Sequence, residues 1–176
     1  MLVPKTKQLS ILFLFLISIS CSNKKNETSV ISDLNSIARE IITSSKNCAL
    51  ITIDSVGIAH ARTMDPFPPD ENFNIWMATN PKSKKVNQIK NNQNVTLYYF
   101  DNENSSYVTI QGSAKLVNSK ELKEKFWKKK WDNFYKNRTT DYLLIQFTPV
   151  KLNLISEKHS ILGDSISWKT PEVLFE

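Results

Sequence analysis

"NVTLYYFDNENSSYVTIQGSAKLV", Asn94 to Val117, holds two β-rich runs separated by the turn residues "NENS", Asn102 to Ser105. A link this short permits only an antiparallel pair, because a parallel crossover needs a dozen residues or more. Gly112 inside the second run predicts a bulge or a close backbone approach. Upstream, "CALITIDSVGIAHARTM", Cys48 to Met64, repeats the form around Asp54 to Gly57, with Gly57 free to take a positive φ. "DPFPPDENF", Asp65 to Phe73, carries three prolines and reads as a loop, and "NIWMAT", Asn74 to Thr79, reads as a third strand. Downstream, "DYLLIQFTPVKLNLIS", Asp141 to Ser156, is one long β-rich run.

Helical spacing appears between these runs. Ile31, Leu34, Ile37, Ile41 and Ile42 give residues 31–45 one apolar face, and Val86 and Ile89 face inward from "SKKVNQIKNN". "SKELKEKFWKKKWDNFYKN", Ser119 to Asn137, reads as a single helix whose packing stripe is Leu122, Phe126, Trp127, Trp131 and Phe134. The tail "GDSISWKTPEVLF" reads as irregular. The expectation is an α+β fold, a six-stranded, mostly antiparallel split β-barrel with flanking helices. Such a barrel removes sheet edges and leaves a mouth for a ligand.

The 176 residues suit one domain, and the 40% hydrophobic and 23% charged content is that of a globular chain. Only Gly57, Gly112 and Gly163 are glycines, which excludes the glycine-rich phosphate loops of nucleotide-binding α/β folds. The two cysteines and two histidines, Cys21, Cys48, His60 and His159, lack the paired spacing of a conventional structural zinc site.

Lys5 and Lys7 precede the apolar run "ILFLFLISIS", which ends at Cys21. The run is too short to span a bilayer and has the form of an export signal. "SISC" resembles a bacterial lipobox, with Ser18 where leucine is usual, so residues 1–20 are expected to be a lipoprotein signal peptide and Cys21 the acylated residue. Residues 21–30 then form a polar tether and 31–176 the ligand-binding domain. Cleavage removes two lysines and no acids, lowering the net charge from +6 to +4. Cys48, the remaining thiol, is expected to be buried. The implied location is an exported protein facing the periplasm or cell surface, held at the membrane through its lipid alone.

"ATNPKSKKV", Ala78 to Val86, is the candidate site. Pro81 stops a strand, Ser83 suits a helix N-cap, and helix N-termini attract anions. Lys84 and Lys85 there oppose the helix dipole unless an anion cancels them. They are either solvated or half of a phosphate socket. Arg62, near the end of the second strand, is either a surface residue paired with Asp65 or a second cation able to meet the same phosphate.

Taken together, "ARTMDPFPPDENFNIWMATNPKSKKVNQIKNNQNVTLYYFD" and "YVTIQGSAKLV" resemble the pyridoxamine 5'-phosphate oxidase-like proteins with an FMN-binding split barrel, in the general stress protein branch. The resemblance covers about Ile37 to Ser156. It implies FMN as cofactor and a homodimer with the flavin site across the interface. Arg62 corresponds to the family's phosphate-holding arginine, and Thr63 and Met64 to the stretch lining the ring. Ala78, Thr79 and Asn80 match the family's small "T-N" step. Ser83, Lys84 and Lys85 match its "S-R-K" helix start, with Lys84 in place of arginine. Tyr107 stands where the oxidase branch carries a flavin-reaching glutamine, Gln111 lies two pleats further on, and Trp168 supplies the tail aromatic. "ISWKTPEVLF" lacks the arginine and histidine that grip pyridoxal, which speaks against vitamin B6 oxidation.

The resemblance supports an FMN-dependent oxidoreductase of open substrate. The alternatives are a non-catalytic binding or storage protein for flavin, haem or a deazaflavin, and a structural lipoprotein. Trp76, Tyr98, Tyr99 and Phe100 either border a flavin or belong to the core. "KFWKKKW" has the look of a nucleic-acid patch, but an exported lipoprotein does not meet nucleic acid.

Overall fold

The computed structural model describes residues 30–175, so the leader expected over residues 1–20, Cys21 and the polar stretch to Ser29 lie outside the described residues. The order is α1 (30–45), β1 (Cys48–Ile53), β2 (Ala59–Met64), β3 (Ile75–Thr79), α2 (Lys84–Asn91), β4 (Asn94–Asp101), β5 (Ser106–Val117), α3 (Lys120–Lys125), a 3-10 turn (Lys129–Asn133), β6 (Leu143–Ser156) and β7 (Glu172–Leu174). Among the described residues no helix is long and apolar enough to cross a membrane.

Every pairing is antiparallel, and the sheet runs β2-β1-β4-β5-β6-β3, with β7 added to β6. This is the expected α+β sheet with one strand more. Alternation places Val95, Leu97 and Tyr99 of β4 in the core with Val108, Ile110 and Ala114 of β5. Phe100 points outward instead. The β1–β2 turn is fixed by Asp54 Oδ1, which accepts from the backbone N–H of Val56 (3.0 Å) and Ile58 (2.9 Å). Gly57 takes a φ of 87° there, as the turn requires.

The β5–β6 ribbon shifts register between Gln111 and Gly112, where Gln111 faces Lys151 and Gly112 faces Pro149. Val150 is thereby the extra residue of a bulge. A Cβ on Gly112 would lie 2.2 Å from the Thr148 carbonyl oxygen, so the close approach forbids any side chain.

Helix α1 buries Leu34, Ala38, Ile41 and Ile42. Its Arg39 stacks 4.0 Å over Phe73 and donates to the carbonyls of Pro69, Asp70 and Glu71. Cys48 is buried beside this core, and burial pushes its thiol up to about 12.

The expected helix 119–137 is broken. It runs as α3, turns at Phe126 (φ −101°, ψ 58°), and resumes only as the 3-10 turn. A continuous helix would string its aromatics, Phe126 to Tyr135, along about 14 Å of its axis. The break folds them into a second cluster around Trp131, Tyr142 and Leu144. Phe126 stacks on Trp76 at 4.5 Å, and Tyr142 donates to the Phe126 carbonyl. Phe134, expected in the packing stripe, is 76% exposed. The tail is not wholly irregular either: β7 buries Val173, and Phe175 packs on Phe73.

Candidate functional site

Arg62 projects from β2 toward α2. Its Nη1 donates to Thr52 Oγ1 at 2.6 Å and its Nη2 to Gln88 Oε1 at 2.9 Å. Lys85, one turn earlier than Gln88, donates to Ser83 Oγ at 2.8 Å and Thr79 Oγ1 at 3.1 Å. Burial draws the Lys85 ammonium below the usual lysine range, and the charge of Arg62 adds to that; burial lowers Arg62 as well. The two cations therefore stand close together. Among the described residues neither is in an ion pair with an acid. In particular Arg62 does not pair with Asp65.

The start of α2 carries no acidic side chain in its first turn. Ser83 has the extended backbone of an N-cap, but its hydroxyl makes no cap bond, being occupied by Lys85. Asn80 Oδ1 accepts from the Lys82 N–H at 2.8 Å and shapes the bend into the helix. Lys84 is exposed.

A cleft of about 730 Å³ opens beside Lys85, within the range of small-molecule sites. Thr63, Met64, Ala78, Thr79, Asn80, Ser83 and Lys85 line it together with Trp131, Phe134 and Tyr135. Arg62 is not part of this wall, because alternation turns it to the face opposite Thr63. Lys84 does not line it either.

Opposite charge handling appears at Asp65. It accepts from Lys128 Nζ at 2.7 Å and Trp131 Nε1 at 2.8 Å, and pairs with Lys130 at 2.8 Å. Burial would raise its carboxyl, but these three donors outweigh that and hold it below the ordinary carboxylate range. This joint pins the 3-10 turn against the cleft.

Within one chain the remaining candidates lie elsewhere. Tyr107 and Trp168 border a separate hollow of about 540 Å³ with Lys151 and Asn153, and Gln111 borders a third of about 330 Å³ with Ile51 and Ile53. Trp168 is 84% exposed, with φ at 58°. His60 is tied to Asp54 at 2.9 Å. Sequence reasoning missed Thr52, Gln88 and the Asp65 joint. Gln88 had a signal: it lies three residues after Lys85, hence on the same helix face.

Comparison with known proteins now decides the family. Residues 33–162 match the family described as Pyridoxamine 5'-phosphate oxidase like. The chain belongs to that family. General stress protein 26 of Bacillus subtilis (strain 168) is 27% identical over 128 residues, which are 70% of this chain and 89% of that one. The crystal structure of general stress protein 26 from Bacillus anthracis str. Sterne is similar at a TM-score of 0.61 and 27% identity, covering 69% of this chain and 93% of the other. A pyridoxamine 5'-phosphate oxidase-related, FMN binding protein from Nostoc punctiforme PCC 73102 shares the fold at a TM-score of 0.58 and 10% identity, covering 79% and 91%. The oxidase-like family thus accounts for the whole sheet through β6.

Proposed function

We propose that this member of the oxidase-like family binds FMN and serves as an oxidoreductase of a substrate still to be found. The observation that carries the reading is the pair Arg62 and Lys85, two cations drawn together on neutral oxygens with no acid in an ion pair with either among the described residues. Bringing like charges together costs free energy that a bound anion reverses. Charge-assisted hydrogen bonds from such groups contribute about 1.5–3 kcal/mol each. Membership of the family and the FMN-binding Nostoc relative support the choice of anion.

In this reading Lys85, Arg62 and the Ser83 and Thr79 hydroxyls hold the phosphate at the start of α2, which adds its own partial charge. Thr63, Met64, Ala78 and Asn80 form the wall along the ring, and Trp131 and Phe134 cover it from water. The bound flavin supplies the electron transfer. Tyr107, Gln111 and Trp168 reach such a ligand only from a second copy, consistent with a homodimer. One observation favours the non-catalytic alternative: the cleft's carboxylate, Asp65, is already engaged by three donors. The leader and Cys21 support an exported lipoprotein, read directly from the mass of the processed N-terminus, where an unacylated Cys21 overturns the anchor.

Titrating the purified full-length protein with FMN tests the main claim. Flavin fluorescence is expected to quench at one FMN per chain. Unaltered fluorescence and no visible absorption bands in the loaded protein would defeat it.

A further inference from the structure

We propose that Gln88 is the positioning residue of the cationic socket: with Thr52 it aims Arg62 without cancelling its charge, tuning the socket to a dianionic phosphate monoester. The ligand's identity as FMN rests on the function proposed above; the charge argument does not.

A guanidinium has five N–H donors. Two are spent inside a closed ring: Arg62 Nη1 to Thr52 Oγ1 (2.6 Å), Thr52 Oγ1 to Gln88 Oε1 (2.7 Å), and Arg62 Nη2 to that same oxygen (2.9 Å). Because both neighbours donate, the amide must present its oxygen. The ring joins β1, β2 and α2, and its two neutral members are buried, Thr52 at 0% and Gln88 at 7% exposure. Three donors of Arg62 remain for a ligand.

Chemistry explains why an amide suits this position. A carboxylate here would accept the same bonds and form an ion pair, neutralising Arg62. A leucine would leave the Thr52 hydroxyl and one guanidinium nitrogen without their acceptor. Glutamine alone of the three supplies the geometry and leaves the charge. Lys85 is treated the same way by the hydroxyls of Ser83 and Thr79. Four neutral oxygens therefore hold two full positive charges, which equal the charge of a phosphate monoester above its second pKa of about 6. A phosphodiester or carboxylate brings only one negative charge. Since Gln88 follows Lys85 by three residues, one face of α2 delivers both the second cation and the residue that aims the first.

The test compares Gln88→Leu and Gln88→Glu with the wild-type full chain, using FMN and riboflavin, which lacks the phosphate. Both variants are expected to weaken FMN at least tenfold while riboflavin affinity stays within twofold, collapsing the preference for the phosphorylated flavin. Gln88→Glu keeps an acceptor in the ring, so its thermal midpoint stays near wild type and folding is not at issue. An unchanged FMN-to-riboflavin ratio in Gln88→Glu, or equal losses for both flavins, overturns the proposal. Should the wild type bind no flavin, the functional reading falls separately. Inorganic phosphate then serves as probe: stabilisation of the wild type but not of Gln88→Glu upholds the positioning role, and equal response of the two defeats it.

Discussion

Lys128 and Lys130 converge on one carboxylate, Asp65, whereas Arg62 and Lys85 rest on hydroxyls and a single amide oxygen. One member of each pair, Lys130 and Lys85, lines the same cleft; Lys130 is exposed, whereas Lys128, Arg62 and Lys85 are partly shielded from water. The first pair is charge-matched inside the chain and, through Trp131, fastens the aromatic turn to the loop after β2. The second is left unmatched, so its electrostatic energy improves only when an anion arrives. Equal numbers of cations thus serve opposite ends, one pair holding the fold and the other, on the proposed function, awaiting a ligand.

The widest separation between the pairs should come from Arg62→Ala and Lys85→Ala. Each is expected to weaken FMN by about 10- to 150-fold, from roughly 1.5–3 kcal/mol per charge-assisted bond, with the midpoint of thermal unfolding almost unmoved. Fluorescence titration and calorimetry on the same samples check this. A fall in stability without a fall in affinity would place the pair with Asp65 instead.

Asp65→Asn should behave in reverse. Removing the shared charge costs about 2 kcal/mol of stability for a partly exposed joint, while the phosphate socket is untouched. The pH dependence follows from the lowered carboxyl. Its folded value lies beneath the unfolded value of about 3.9, so its stabilisation is complete above that value and vanishes as acid carries the pH through the folded value. The stability gap between wild type and variant is therefore full at pH 7 and closes below about pH 4; a constant gap in urea titrations would contradict the joint.

Lys84→Ala sets the lower end of the scale. Exposed and outside the cleft, Lys84 should change FMN affinity by less than about 0.5 kcal/mol in the same titration. A loss as large as that of Lys85→Ala would show that the helix start uses both lysines.

The sheet was legible because period-two alternation and short turns act locally: the β1–β2 and β4–β5 hairpins lie where Gly57 and "NENS" place them. Helix α2 was legible for the same reason. The stretch 119–137 was not, since Phe126, Trp127, Trp131 and Phe134 satisfy helical spacing equally well when the chain breaks at Phe126. What selects the break is distant in sequence: Trp76 beneath Phe126 and Asp65 beneath Trp131. Strand β7 escaped notice because three residues carry too little pattern. At the candidate site, Arg62 and Lys85 were readable as cations, but their neighbours were not. That Asp65 serves Lys128 rather than Arg62, three residues away, is settled only by the tertiary fold.

The sheet path begins at β2 and ends at β3, and the cleft takes lining from both: Thr63 and Met64 from one terminus of the sheet, Ala78 and Thr79 from the other. Among the described residues no ladder of backbone bonds sews these two strands to each other. A guest seated there acts as a clasp on an open collar, fastening the two rims that the polypeptide leaves apart. On the proposed function, holding the cofactor and closing the barrel are one equilibrium, and the tightness of the seam is set in part by a molecule that the gene does not encode.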